Sequence, residues 1–303
     1  RPDHETAVGL VGQVVAEKGL AKGRIGIEAD EFHVPTMTLL QAALPEAELV
    51  NISDRLTNLG VVKSAEEIEI LKLCSEIADL GGAAFMDAIG IGKSTHEITA
   101  EADLAMNREI AKRMPEADFQ SVSFSMTGPE SLYPHKFGSG RPVEKGDVFA
   151  WNSLPVVCGY YSCTERTVVV GEPTAEQRRV FETVIDAHMR GIEALGPGVV
   201  AGDVDRLVRG VLDEAGYGAY FACGPGHHCG VGMGNPYSHG GPIIGGIRHF
   251  SEERLVEDMV VTMEPGIYIP GLGGFRHCDA LRITRDGAEL LTHFDRGVLT
   301  VEA

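Results

Sequence analysis

Three things are missing from this 303-residue sequence. It has no apolar run of the ~20 residues that a membrane-crossing helix needs, so no membrane partner is expected. It has no cluster of Lys and Arg: 26 basic residues stand against 44 acidic ones, a net charge of −18. Such a chain repels phosphate backbones, which argues against nucleic acid as a partner. It has no CxxC pair. Its six cysteines, Cys74, Cys158, Cys163, Cys223, Cys229 and Cys278, are scattered. That pattern excludes a zinc ribbon and a disulfide framework, and it points to reduced thiols in the cytoplasm.

What is present has the balance of a globular protein, with 44% hydrophobic and 23% charged residues. The length allows one large domain, or one plus a smaller piece. The acidic surface is compatible with a cationic substrate. The opening RPDHETAVGL reads like the middle of a longer chain.

RIGIE (24–28) and ELVNIS (48–53) read as short strands around a helical VPTMTLLQAAL (34–44), with Pro35 suited to a first turn. Gly60 and Lys63-Ser64 mark a boundary. Ser64 and Glu67 then form a capping box, S-x-x-E, that opens a long helix. Ile70, Leu73, Ile77, Leu80 and Ala84 give it one apolar face. Ser94 and Glu97 open a second helix, 94–113. Strands are expected at 119–126, at 147–154 and on to Val170. The order then restarts: Thr174 and Gln177 cap a helix whose face is Phe181, Val184, His188 and Ile192. A helix at 202–215 and strands at 219–223, 258–264 and 279–284 follow.

The restart is visible in the letters. AIGIGKSTHEI (88–98) and ALGPGVVAGDV (194–204) share the pattern A-[IL]-G-x-G-x-x-x-x-[ED]-[IV]. This predicts two α/β halves related by a pseudo-twofold, packed strand to strand in one curved sheet with helices outside. A site would lie in the groove where they meet.

Four stretches could carry chemistry. WNSLPVVCGYYSCTERT (151–167) places Glu165 and Arg166 in a strand-like run, either as a structural pair or as one wall of a site. GPGHHCGVGMGNPYSHGG (224–241) holds much of the glycine excess, 38 residues in all against a usual share of about 7%. Its His227 either faces a ligand or merely closes a tight turn. In MVVTMEPGIYIPG (259–271), Glu264 ends an apolar strand, and it needs a partner unless it turns to solvent. SLYPHKFGSGRP (131–142) puts His135 in a loop, where an isolated histidine is more often a surface residue than a catalyst.

Together these pieces resemble the pita-bread family, which includes methionine aminopeptidase, aminopeptidase P, prolidase and creatinase. The order GYY-S-x-x-x-RT, GH-x-x-G, MEPG, R-x-x-D matches. The resemblance implies an α+β fold, a curved antiparallel sheet of two pseudo-twofold halves. Residues 61–303 would be the catalytic domain. Residues 1–60 would be the C-terminal part of an N-terminal domain, about ninety residues of which would precede Arg1. Family metallopeptidases bind two metal ions through two Asp, one His and two Glu. The matching positions here are Asn152, Cys163, His227, Glu264 and Cys278, so no metal or other cofactor is expected.

RIGIE, PEAELV, KSAEE, IADLGGAA and GHHCG are similar to segments of the metal-free creatinase branch. By that resemblance His135 is the general base and acid, while Tyr161, Glu165, His227 and Glu264 line a guanidinium pocket. Two carboxylates in one pocket repel each other and suit a planar cation with five N–H donors. Cys278 stands where the branch has a His, with His277 in place of its neighbouring Glu. The Arg expected for the substrate carboxylate falls near Ser238, beside His239, with Arg248 as the other candidate. The implied reaction is hydrolysis of creatine or a related guanidino acid to urea and an amine, by a homodimer. Two alternatives stand beside it. One is a divergent Xaa-Pro-type peptidase with one Zn²⁺ among Cys163, Cys278, His227 and Glu264. The other is a non-catalytic binding module.

Overall fold

In the computed structural model, residues 3–231 and 246–302 are described. They fall into two compact units that divide at Gly60 and Val61. In the first, α1 (His4–Glu17) precedes β1 (Arg24–Ile27), α2 (Val34–Ala43) and β2 (Glu48–Asn51), and α3 (Ser53–Val61) ends at the boundary. β1 and β2 pair in parallel, and Val8, Leu40 and Leu44 form the small core. The expected strand 48–53 stops at Asn51. Its side-chain oxygen accepts from the Ser53 N–H (3.0 Å) and hydroxyl (2.7 Å), turning the chain into α3.

The second unit opens with α4 (Ala65–Ala88) and α5 (Thr95–Arg113). Three strands follow, β3 (Phe119–Thr127), β4 (Val148–Val157) and β5 (Tyr160–Tyr161), and then β6 (Thr164–Val170). Next come α6 (Ala175–Glu193), α7 (Ala201–Glu214) and β7 (Gly230–Val231). The chain closes with β8 (Val260–Met263), β9 (Gly266–Ile269), β10 (Gly273–Arg276), β11 (Asp279–Thr284), β12 (Gly287–Leu290) and β13 (Leu299–Val301). All three expected capping boxes form, with the Ser64, Ser94 and Thr174 side chains each accepting from a backbone N–H three residues on. The strand expected at 219–223 does not form. Tyr217–Phe221 tightens into a 3₁₀ turn at Gly218–Tyr220, in which the Phe221 N–H reaches the Gly218 carbonyl at 3.1 Å.

β4 runs antiparallel to β6 and β3, and β8 runs antiparallel to β11. Glu165 of β6 makes one antiparallel bridge to Cys278, the residue just before β11. The two halves match in detail. Gly92 and Gly198, second glycines of the repeated pattern, both take φ +83°. The Gly92 N–H donates to the Val143 carbonyl, and the Val143 N–H returns to Lys93. The Gly198 N–H donates to Leu255 in the same way, and Leu255 returns to Val199. From these anchors the chain turns through Gly146 and Asp258, both at positive φ, into β4 and β8.

Helices cover the sheet. α4 supplies Phe85, which packs edge-on to Phe149 at 4.9 Å and stacks on Trp151 at 5.1 Å. On the other half, Phe181 and Val184 of α6 and Val208 of α7 pack with Met263 and Phe275. Truncating one of these buried aromatics would cost about 3–5 kcal/mol.

Candidate active site

The pseudo-twofold places the candidate side chains. Asn152 on β4 lies opposite Glu165 on β6, and Glu165 lies opposite Cys278. Cys278 is one step beyond the pair Asp279–Met263, which sets it beside Glu264. Asn152, Glu165, Cys278 and Glu264 thus form one rung across four strands. Cys163 and Arg276, each two residues from a rung position, emerge on the same face. The segment ending at Cys229 runs along β8: the His227 N–H donates to the Thr262 hydroxyl at 2.9 Å, and the Glu264 N–H to the Pro225 carbonyl at 2.6 Å. Gly226 permits this closeness, since a Cβ there would stand 2.2 Å from the Thr262 carbonyl oxygen.

Glu264 is the junction. One ligand atom each from Cys163, His227 and Glu264 falls within 4.8 Å of the others, and the same holds for Glu165, Glu264 and Cys278. His227 Nδ1 lies 2.8 Å from the His228 carbonyl oxygen, and Nε2 lies 3.4 Å from Glu264 Oε2. Both ring nitrogens face acceptors, which favours the imidazolium. Burial alone would keep His227 neutral, but the Glu264 charge and the nearby Tyr161 push its pKa well above the usual range. Burial likewise raises Glu264, yet His227, aided by Arg276 and Arg248, holds it at about 2.

Glu165 behaves in the opposite way. Full burial pushes it well above the usual carboxylate range, more than the Arg276 guanidinium beside it pulls it down. Two neighbouring carboxyls thus sit at opposite ends of their range. Cys163 is also fully buried, which would raise its thiol, but hydrogen bonds from Cys278 and His227 bring it to about 7.

The structure brings Glu165, His227, Glu264, Cys278 and Tyr161 together. The Tyr161 hydroxyl donates to the His228 carbonyl at 2.7 Å. His135 stands on its loop at the edge. Burial and the Arg276 charge hold its pKa below the usual value, with Glu264 and His227 also within electrostatic reach. Arg248 donates to the Gly226 (2.8 Å) and Ile247 (3.0 Å) carbonyls, and its charge reaches Glu264. His239 and Ser238 lie outside the described residues.

One expectation changes. Glu165 does not present an open carboxylate: one oxygen accepts from the Asn152 amide and the other is ion-paired with Arg276. Arg276 was not among the candidates from sequence, although its step of two from Cys278 places it on the site face. Its Nη2 also donates to the Pro134 carbonyl at 3.2 Å, next to His135.

The opposite face carries a second polar cluster. Arg166 and Asp279 form a fully buried ion pair at 2.8 Å. Arg166 Nη1 also donates to the carbonyls of Glu165 (2.7 Å) and Cys278 (2.6 Å), clamping the central bridge from behind. Asp279 further holds His188 (3.0 Å), Thr292 (2.7 Å) and Arg296 (2.5 Å), and these partners carry its pKa far below the usual carboxylate range despite burial.

Residues 69–285 match the model of metallopeptidase family M24. The chain belongs to that family. It is 33% identical over 292 residues to a creatinase from Bacillus sp. (strain B-0618), covering 95% of this chain and 70% of that one. It is 36% identical over 252 residues to an Xaa-Pro dipeptidase from Pyrococcus furiosus, covering 83% and 69%. Among solved structures, an Xaa-Pro dipeptidase from Bacillus anthracis superposes with a TM-score of 0.86 at 29% identity, covering 97% of this chain and 78% of that one. The fold is the pita-bread fold. No helix among the described residues is long and apolar enough to cross a membrane.

The family name implies metal ions, and the donor set does not fit a pair of hard divalent ones. Asn152 offers an amide that donates to Glu165, and Cys163 and Cys278 offer buried thiols, the Cys278 Sγ lying 3.8 Å from the Cys163 carbonyl oxygen. The Arg276 guanidinium already lies against Glu165.

Proposed function

We propose that this M24 hydrolase is a creatinase-like amidinohydrolase. It hydrolyses a guanidino C–N bond of creatine, or of a related guanidino acid, to urea and an amine such as sarcosine. What carries the reading is the composition of the site face: the positions of three acidic metal ligands hold Asn152, Cys163 and Cys278, while Glu165, His227 and Glu264 remain, the last two within electrostatic reach of His135. Glu264, held ionised, meets the substrate's positive charge, and Arg248, whose charge reaches Glu264, is the candidate for the substrate carboxylate. His135, held neutral, takes a proton from water and returns one to the departing nitrogen. A homodimer is part of the same proposal, to be checked by light scattering.

Purified protein should release urea from creatine with and without EDTA, and His135→Ala should lose that activity. Unchanged urea formation in the variant would sink the assignment. The Xaa-Pro dipeptidase relatives and the convergence of Cys163, His227 and Glu264 favour a second reading, a peptidase with one zinc ion. Stoichiometric zinc together with Xaa-Pro dipeptide cleavage would select it over the first.

A further inference from the structure

Cys163 has no part in the water mechanism just described, and its place is unusual for an idle thiol. It lies on the site face of the sheet, fully buried, two residues from Glu165. Its sulfur, a His227 ring nitrogen and a Glu264 oxygen lie within 4.8 Å of one another. His227 Nδ1 is fixed by the His228 carbonyl at 2.8 Å, and Nε2 lies 3.4 Å from Glu264 Oε2. Thiol, imidazolium and carboxylate thus lie within 4.8 Å of one another, a neighbourhood in which a cationic ring favours the thiolate, the nucleophilic form of cysteine.

Resting on the guanidino-hydrolase reading, but replacing direct attack by water on the substrate, we propose that Cys163 is the nucleophile of the reaction and carries the carbamimidoyl group covalently between its two halves, with His227 and not His135 protonating the departing nitrogen. The proton that Cys163 shares with His227 lies on the imidazole while sulfur attacks the guanidinium carbon, forming a C–S bond. The tetrahedral centre collapses as His227 gives that proton to the substituted nitrogen. The C–N bond breaks, the amine leaves neutral, and an S-carbamimidoyl cysteine remains. His135 then takes a proton from water as its oxygen attacks the same carbon. The C–S bond breaks, the sulfur leaves as thiolate, and the protonated urea returns its proton to His227. The proton on His135 passes through solvent to the free amine. Nothing is oxidised or reduced, and the sum is one guanidinium and one water giving urea and one ammonium.

The test uses the full chain, with metal content measured first. Native protein is treated with 2-chloroacetamidine, a thiol reagent bearing an amidinium, and its cysteines are mapped by mass spectrometry. Cys163 should label ahead of the exposed Cys158, and His227→Gln should suppress Cys163 labelling while sparing Cys158. With a guanidino acid, His135→Ala should accumulate the mass of one carbamimidoyl group on the Cys163 peptide. Cys163→Ser should lose at least about a thousandfold in urea release, the scale on which catalytic nucleophiles act. Labelling of Cys158 but not Cys163, or stoichiometric zinc held by Cys163, would overturn the proposal. So would wild-type urea release in Cys163→Ser, and that outcome would leave the amidinohydrolase reading standing. Cys163 labelling in a protein that releases urea from no guanidino acid would overturn the amidinohydrolase reading and this proposal with it.

Discussion

Replacing Asp279 by Asn tests the clamp behind the rung. Arg166 and Asp279 have 1% and 0% of their side chains exposed. A guanidinium cannot shed its proton at any accessible pH, so the variant must bury Arg166 without its counter-charge. Breaking a buried pair in this way costs about 3–5 kcal/mol. Arg166 keeps the carbonyls of Glu165, Cys278, Phe294 and Asp295, so we expect the lower end, about 3 kcal/mol at pH 7. The pH dependence is the sharper signature. Asp279 has a depressed folded-state pKa, so its stabilisation is present above the unfolded value of about 3.9 and is lost as pH falls below it. Wild type should lose about 1.4 kcal/mol per pH unit from this group below that point, and the variant should not. Urea denaturation at pH 7 and pH 3 therefore should show a gap that narrows in acid. A loss under about 1 kcal/mol at pH 7, or a gap that widens in acid, would refute the clamp.

Two further substitutions follow. Lys63 is buried, with Nζ donating to the Val61 carbonyl at 2.8 Å, and burial lowers its pKa to about 8. Holding a lysine in that setting costs roughly 3 kcal/mol at pH 7, so Lys63→Met should stabilise the protein by about 1–2 kcal/mol after the lost hydrogen bond is counted. Because the unfolded lysine binds its proton up to about pH 10.4, wild type gains stability between about pH 8 and that value, and the variant's advantage should shrink there in denaturation curves. Gly226→Ala would force a Cβ against the Thr262 carbonyl, so melting should show a loss of about 1–3 kcal/mol. The displaced His227 should also slow urea release, and an unchanged melting curve would contradict the close packing.

Local signals made much of this legible. The capping boxes at Ser64, Ser94 and Thr174 act within one turn of helix, so three residues suffice to read them. The repeated Gly patterns mark equivalent loops because each needs a residue at positive φ. Glu264 and His227 stood out because a charged or ring side chain among small apolar neighbours needs a reason. The pairing of Glu165 with Arg276 was not legible, since it joins residues from different halves of the sheet whose register no local pattern gives. The same holds for Asp279, whose four partners come from β6, α6 and the chain after β12. The missed α3 turns on one Asn51 side chain that redirects a strand end.

The charges on the rung lead to a test of how it takes a cation. The chain's own cations, Arg276 and His227, face the two remaining carboxylates, Glu165 and Glu264. Glu264 stays ionised in this balance, whereas the Glu165 pKa is raised well above the usual value by burial. A guanidinium ligand arriving beside Glu165 favours its ionised form, so binding should drive a proton off the protein. The sign follows from linkage: a ligand that prefers the deprotonated site binds more tightly as pH rises, until the free protein's Glu165 has itself ionised. Calorimetric titration of methylguanidine in two buffers of different ionisation heat measures this directly, and up to one proton should be released per ligand. A buffer-independent heat would mean that Glu165 is already ionised and committed to Arg276. The substrate cation would then rest on Glu264 alone, and Glu165→Gln would weaken binding only by disturbing Arg276.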